Sequence, residues 1–427
     1  MDTCLNNSLS RLLIGFLAMA TVGLSAVRAQ APSTCLDCHG ALDPPLQVTP
    51  AQFAQDIHSQ KGLTCANCHG GDPTKADMDA MSKAAGFRGK IERKQIPELC
   101  GHCHSDGAFM RKYNPSLRTD QLAQYKTSVH GKRLAQGDSK VAVCIDCHGV
   151  HDLRPANDLR SKVSPLNVAQ TCSRCHSDAK YMQGYGIATD QYAKYSASVH
   201  HDAMTVRGDL SAPTCSTCHG NHGAAPPGTD SVKNVCATCH VFQALMYDKS
   251  THKVAFQSIG LPGCVVCHSN HDVTHPTDAK LGTGPEAVCM RCHKPGDVCD
   301  QARAEMLADL KQLDGAVRAA DSTLATAESS GMEVSEARIE QDQARDSLTK
   351  ARVAIHSFQT PLVEQDIEAG LKIAAKTQTE ARAALAERDR RRRGLGLSLG
   401  IIIMVLLGLR LYIRQIEGNS GKVNTAI

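Results

Sequence analysis

Tryptophan is absent from these 427 residues, and aromatic residues of all kinds make up only 4% of them. A chain of this length ordinarily fills its interior with such side chains, so a conventional large hydrophobic core is excluded as the main source of order. An excess of either charge is also missing: 47 Lys and Arg stand against 43 Asp and Glu, a formal net charge of +4. The basic residues are spread along the chain and are not gathered with aromatics on one helix, which argues against a nucleic-acid-binding surface. One dense basic run occurs, Arg390 to Arg393, and it abuts an apolar segment. Cysteine is the opposite case, with 20 residues.

Eighteen of those 20 cysteines fall in nine Cys-x-x-Cys-His pentads. In chain order they are Cys35, Cys38 and His39; Cys65, Cys68 and His69; Cys100, Cys103 and His104; Cys144, Cys147 and His148; Cys172, Cys175 and His176; Cys215, Cys218 and His219; Cys236, Cys239 and His240; Cys264, Cys267 and His268; and Cys289, Cys292 and His293. Each pentad offers two thiols for thioether bonds to haem vinyl groups and a histidine as the first axial ligand of the iron. Zinc also takes paired thiolates and imidazoles, and disulfide frameworks also pair cysteines. Neither requires a histidine directly after the second cysteine nine times over. The pentads leave roughly 29 residues per site, too few for separate protein cores. The expected fold is therefore mainly α with extensive loops, short helices wrapped on stacked porphyrins that supply the missing apolar bulk. The haem propionates would make the loaded protein net acidic.

Over residues 35 to 293 the chain resembles the multihaem c-type cytochromes, class III-like members included. The resemblance implies nine covalently bound haem c groups, electron transfer, and maturation outside the cytoplasm.

Two module types alternate between the pentads. One begins with an aromatic five residues before a histidine: Phe53 and His58, Tyr125 and His130, Tyr195 and His200, Tyr247 and His252. A pentad follows, and in three of the four cases another histidine stands three positions beyond the proximal one, namely His151, His222 and His271. The other type carries a methionine six residues past its proximal histidine, Met110, Met182 and Met246, with Cys299 in that register in the last copy. Four two-haem repeats thus follow a lone leading pentad.

An electron carrier gains from filling the sixth position of the iron, because a fixed coordination sphere leaves little to reorganise. The recurrent histidines His58, His130, His151, His200, His222, His252 and His271 are the candidate distal ligands. His151 would strain to reach the far side of the iron held by His148 and is expected to serve a neighbouring haem. The eighth candidate is His356. The three methionines read better as packing against porphyrin edges than as ligands. Eight donors for nine irons leave a shortfall, and its place in the sequence is the first module, which has Asp72 where its siblings have His151, His222 and His271. His275, His102, His201 or a methionine remain alternatives there.

His356 enters through the region after the last pentad. Met306, Leu310, Leu313, Val317, Ala320 and Leu324 form one heptad seam, and Ala337, Gln341, Ala344, Leu348, Ala351 and Ile355 form another. Ser329-Ser330-Gly331 separates them, so an antiparallel hairpin with arms of about 24 residues, or roughly 36 Å, is expected. Its return arm ends at His356, beside the last haems. Similar helices pack beside haems in the pentahaem nitrite reductases and their octahaem relatives, which this part resembles loosely. After Thr360-Pro361 a third helix carries Val363, Ile367, Leu371, Ala374, Ala381 and Leu385 and reads as a stalk.

The ends of the chain read as membrane-directed. A short apolar stretch ending in Val27-Arg28-Ala29 predicts a signal peptide over 1–29, whose removal would also remove Cys4; an uncleaved anchor is the competing reading. Gly394 to Leu409, extended by Leu411-Tyr412-Ile413, spans about 24–30 Å as a helix. The predicted organisation is a nonahaem domain over 30–299, hairpin and stalk over 300–389, basic flank and transmembrane helix over 390–413, and a cytoplasmic tail over 414–427. Export of the haem domain puts Arg390 to Arg393 on the outer face against the positive-inside tendency, but large domains translocate largely regardless of charge.

Two functions compete on this reading. The first is a non-enzymatic conduit on the periplasmic side of the bacterial cytoplasmic membrane, anchored by a single C-terminal span. It would take electrons from a quinol-oxidising complex or other inner-membrane donor and pass them to periplasmic or outer redox proteins in anaerobic-type respiration. The second is a haem-dependent oxidoreductase acting on nitrite, hydroxylamine or a sulfur oxyanion at one open haem. No Cys-x-x-Cys-Lys pentad is present, a departure from many nitrite reductases that favours the conduit, and no residue is assigned a catalytic role. Direct quinol oxidation, as in the small membrane-anchored tetrahaem quinol dehydrogenases, fits less well, because those carry an N-terminal anchor and a compact haem set.

Overall fold

The computed structural model describes residues 33–228 and 231–423; the predicted signal peptide, Cys4 and the last residues of the tail lie outside the described residues. Among the described residues there are helices and loops but no strand, in line with the expected fold class. The chain divides into two compact units, 1–226 and 227–427.

In the first unit, short helices recur where the sequence repeats. Each early candidate donor is the second residue of a helix: His58 in Ile57–Gln60, His130 in Val129–Ala135 and His200 in Val199–Thr205. Each of these helices starts on a buried polar cap. Asp56 accepts from the His58 amide at 2.8 Å, Ser128 from Gly131 at 2.9 Å, and Ser198 from His201 at 3.2 Å. A cap fixes where the first turn begins and therefore where the second residue points.

The pentads themselves form single helical turns, Cys65–His69, Cys144–His148 and Cys215–His219. The residue just before the second cysteine decides this. Asn67, Asp146 and Thr217 each accept a hydrogen bond from the backbone amide ahead of the pentad, at Thr64, Val143 and Thr214 (2.7, 2.7 and 3.1 Å). Each turn then stops at a glycine with positive φ, Gly70, Gly149 or Gly220. Gly70 is enforced by space as well: a Cβ there would sit 2.1 Å from the Gly86 carbonyl oxygen. The other pentad type ends longer helices that carry proline in their first turn, Ile96–His104 and Pro165–His176.

The second unit is dominated by three long helices: α1 (Val298–Ser329), α2 (Ser335–Ala354) and α3 (Thr360–Val423). Met306, Leu310, Leu313, Val317, Ala344, Leu348, Val363 and Ile367 form its core, as the heptads predict. The approach is close: a Cβ on Gly370 would lie 2.8 Å from the Leu313 side chain. One polar layer interrupts the apolar seam. Buried Gln341 donates to the Val317 carbonyl at 3.0 Å and accepts from the Thr377 hydroxyl at 2.6 Å. The arms are less equal than expected, 32 residues against 20, because α1 starts just past the last pentad and takes in Cys299, which is exposed. Stalk and apolar segment are one unbroken helix of 64 residues, about 96 Å long. Glu387 pairs with both Arg390 and Arg391, so the basic run continues the helix through (i, i+3) and (i, i+4) contacts and does not break it. α3 is long and apolar enough to cross a membrane, and the large apolar side chains from Leu395 to Ile413 are exposed.

Candidate functional site

Among the described residues, pairs of imidazoles face one another with nearly constant spacing. His58 lies opposite His104 (ring centroids 6.0 Å), His69 opposite His151 (6.1 Å), His130 opposite His176 (6.2 Å) and His148 opposite His222 (6.0 Å). In the second unit His252 lies opposite His293 (5.8 Å) and His268 opposite His356 (6.0 Å). Every pair joins one pentad histidine to one candidate distal histidine. The gap is too wide for direct hydrogen bonding or ring stacking, but two metal–imidazole bonds of about 2 Å in line would put the ring centres roughly 6 Å apart. The spacing is that of a haem iron held between two histidines.

The second ring nitrogen is also arranged for this. Nδ1 of His39 lies 2.9 Å from the Leu46 carbonyl oxygen, Nδ1 of His58 3.1 Å from the Asp56 carboxylate, Nδ1 of His219 3.3 Å from the Ala225 carbonyl and Nδ1 of His356 3.0 Å from the Val353 carbonyl. An Nδ1–H held this way fixes the ring and leaves Nε2 free to bind metal. Burial, then the facing imidazole, lowers the pKa of His104 and His130, and lowers His148 and His268 to about 4. These rings are thus neutral at physiological pH, the form that ligates iron.

The pairs follow two rules of register. An early histidine, such as His58 or His130, faces the histidine of the next methionine-type pentad. A late histidine faces backward, to the preceding pentad of its own type: His151 to His69 and His222 to His148. A backbone bond ties one rule to the other, for Ile57 donates to the Leu153 carbonyl at 2.8 Å and Val129 to the Ala224 carbonyl at 3.0 Å. The helix bearing one donor is thereby stitched to the loop bearing the next.

Successive pentads also touch through their cysteines. Cys35 and Cys65, Cys100 and Cys144, Cys172 and Cys215, and Cys236 and Cys264 are close enough to hydrogen bond. Cys68 and Cys103, Cys147 and Cys175, and Cys267 and Cys289 are close enough for charge on one to disfavour charge on the other. Pentads one to six therefore form a continuous series in the first unit, and seven to nine form another in the second. The fourth pentad is held by charge from both sides: Arg93 forms a two-pronged ion pair with Asp146 at 3.2 and 2.6 Å, and Arg174 donates to the Asp146 carbonyl at 2.7 Å.

Among the remaining predicted residues, His200, His219, His240 and His271 each engage partners. Met110 and Met182 are buried beside pentads whose histidines already face a second imidazole, so they pack and need not ligate. His102, His201 and His275 face no proximal histidine among the described residues; His201 lies edge-on to Tyr195 at 5.4 Å. The sequence reading missed the caps Asp56, Ser128, Ser198 and Ser250, although Asp/Ser-x-His recurs at all four early donors. It also left the aromatics without a role. Tyr125 and Tyr195 hydrogen bond the carbonyls of Ala142 and Pro213 at 2.9 and 3.1 Å, which ties the short helix ahead of each early-donor helix to the segment leading into the pentad that follows.

A family model described as cytochrome c3 matches residues 57–177. The chain is also 22% identical, over 270 residues, to the C-type polyheme cytochrome OmcC of Geobacter sulfurreducens, which covers 61% of this chain and 29% of that relative. The chain thus spans less than a third of that protein's length. No solved structure matches it.

Proposed function

Because this chain is a multihaem c-type cytochrome with covalently bound haem c, we propose that it carries nine such groups and conducts electrons along them between a membrane donor and periplasmic or outer redox proteins. The continuity of the pentads within each unit is the observation that carries this reading. Bound haem supplies one-electron chemistry, while the chain sets spacing, ligation and potential. The eighteen pentad cysteines hold the groups and the nine pentad histidines serve as proximal ligands. His58, His130, His151, His200, His222, His252, His271 and His356 serve as distal ligands. Two imidazoles on one iron make a closed site that changes little in geometry on reduction, which suits transfer over catalysis.

The apolar segment of α3 supports attachment to the cytoplasmic membrane with the haems on the periplasmic side, and a quinol-oxidising complex is the donor that such a position favours. Mass spectrometry of the purified full chain tests the haem count: nine haem additions are expected, and eight or fewer would overturn it. Stopped-flow reduction by a soluble quinol, with and without membranes containing quinol-oxidising complexes, tests the donor. Reduction that is equally fast without those membranes would sink the need for a separate complex.

A further inference from the structure

We propose that the haem attached at Cys35 and Cys38 is the one open haem of the chain, with His39 on one side and a free position on the other that takes small external ligands. The inference rests on the haem reading above and adds to it the identity of the odd site. Late donors face back to the preceding pentad of their own type, His151 to His69 and His222 to His148. Each of those steps passes over a methionine-type pentad; behind the His69 module the sequence has just the leading pentad, and the late position that would reach back to it, residue 72, is aspartate. His39 faces no second imidazole among the described residues, although its Nδ1 is held at 2.9 Å by the Leu46 carbonyl, as a proximal ligand requires.

The loop is in place and only the donor is missing. Thr34, the residue ahead of Cys35, donates its backbone amide to the Pro73 carbonyl at 3.1 Å. This bond brings residue 72 alongside the first pentad. The Asp72 carboxylate is instead engaged within its own loop, accepting from the Thr74 amide and hydroxyl at 3.0 and 2.6 Å. A cleft of about 460 Å³ opens at this loop, bordered by Gly71, Asp72, Pro73, Lys75 and Ser82. The site is wired as well as open, for Cys35 lies against Cys65 of the second pentad.

Carbon monoxide binding to the reduced, fully loaded full chain, read by the shift of the Soret band and titrated to stoichiometry, tests this. One carbon monoxide per chain is expected, together with one high-spin ferric haem in the electron paramagnetic resonance spectrum. Asp72→His should restore the missing donor and abolish both signals at unchanged haem content. Cys35→Ala combined with Cys38→Ala should yield a chain with one haem fewer that no longer binds carbon monoxide, and this keeps the proposal testable if Asp72→His does not load. A wild-type chain that is wholly low-spin and indifferent to carbon monoxide would overturn the proposal, as would binding that survives loss of the first haem. Neither failure touches the conduit reading, which stands or falls on haem count and reduction.

Discussion

His268 and His356 face each other with ring centroids 6.0 Å apart and planes 18° from parallel, although the whole helical hairpin lies between them in sequence. On the proposed reading, the hairpin would deliver a distal ligand to the haem of the eighth pentad. His356→Ala should open that iron and add one carbon monoxide-binding, high-spin haem to the wild-type count. His356→Met should keep the iron low-spin and raise the potential of a single haem, since methionine in place of histidine favours the reduced form. A redox titration with all potentials unchanged in both variants would contradict the pairing.

The nine pentads were legible as motifs because the attachment chemistry they suit needs its residues adjacent in the chain. The distal donors were legible as registers, but their partners were not. His151 and His69, or His58 and His104, meet only through the packing of separate helices, and nothing within one module fixes whether a donor reaches forward or back. The buried caps were missed for a different reason: a Ser or Asp two residues before a histidine is common, and only its repetition at Asp56, Ser128, Ser198 and Ser250 carries information. The unbroken α3 was hidden because four consecutive arginines read as a boundary. In the structure the flanking carboxylate of Glu387 turns them into helix-supporting pairs.

The caps give a direct test of how the early donors are aimed. Ser128 is fully buried, accepts from the Gly131 amide and donates to the Tyr125 carbonyl at 2.6 Å. Ser128→Ala should cost about 1 kcal/mol, the usual worth of such a cap, and should loosen His130 over the fifth haem. The readout is a lower midpoint in chemical denaturation followed at the Soret band, with a partial high-spin signal. Ser128→Asp, which keeps a capping oxygen as Asp56 does, should restore the low-spin spectrum.

Gln341 separates the worth of polar pairing from that of volume inside the bundle. Its side chain is buried and bridges the Val317 carbonyl and the Thr377 hydroxyl, but Thr377 also donates to the Ala374 carbonyl at 3.1 Å. Replacement by leucine therefore leaves no hydroxyl stranded and should cost less than about 1.5 kcal/mol. Replacement by alanine adds a cavity and should cost about 2–4 kcal/mol. Far-UV circular dichroism during denaturation measures both; equal losses would mean that the hydrogen bonds, and not the filled volume, hold this layer.

Ending the chain after Asp389 tests whether anchoring and folding are separable. The buried stripe of α3 runs through Val363, Ile367, Ala374 and Ala381, with Leu385 partly buried against Leu324 and Ala327. Beyond it, the large apolar side chains from Leu395 to Ile413 are exposed, so they contribute nothing to the bundle and need lipid to be covered. The truncated chain should appear in the soluble fraction with its haem spectrum and thermal midpoint unchanged, whereas the full chain should require detergent. Retention of the truncated chain on membranes would assign the attachment to another surface, and a lowered midpoint would mean that the apolar segment packs on the rest of the protein.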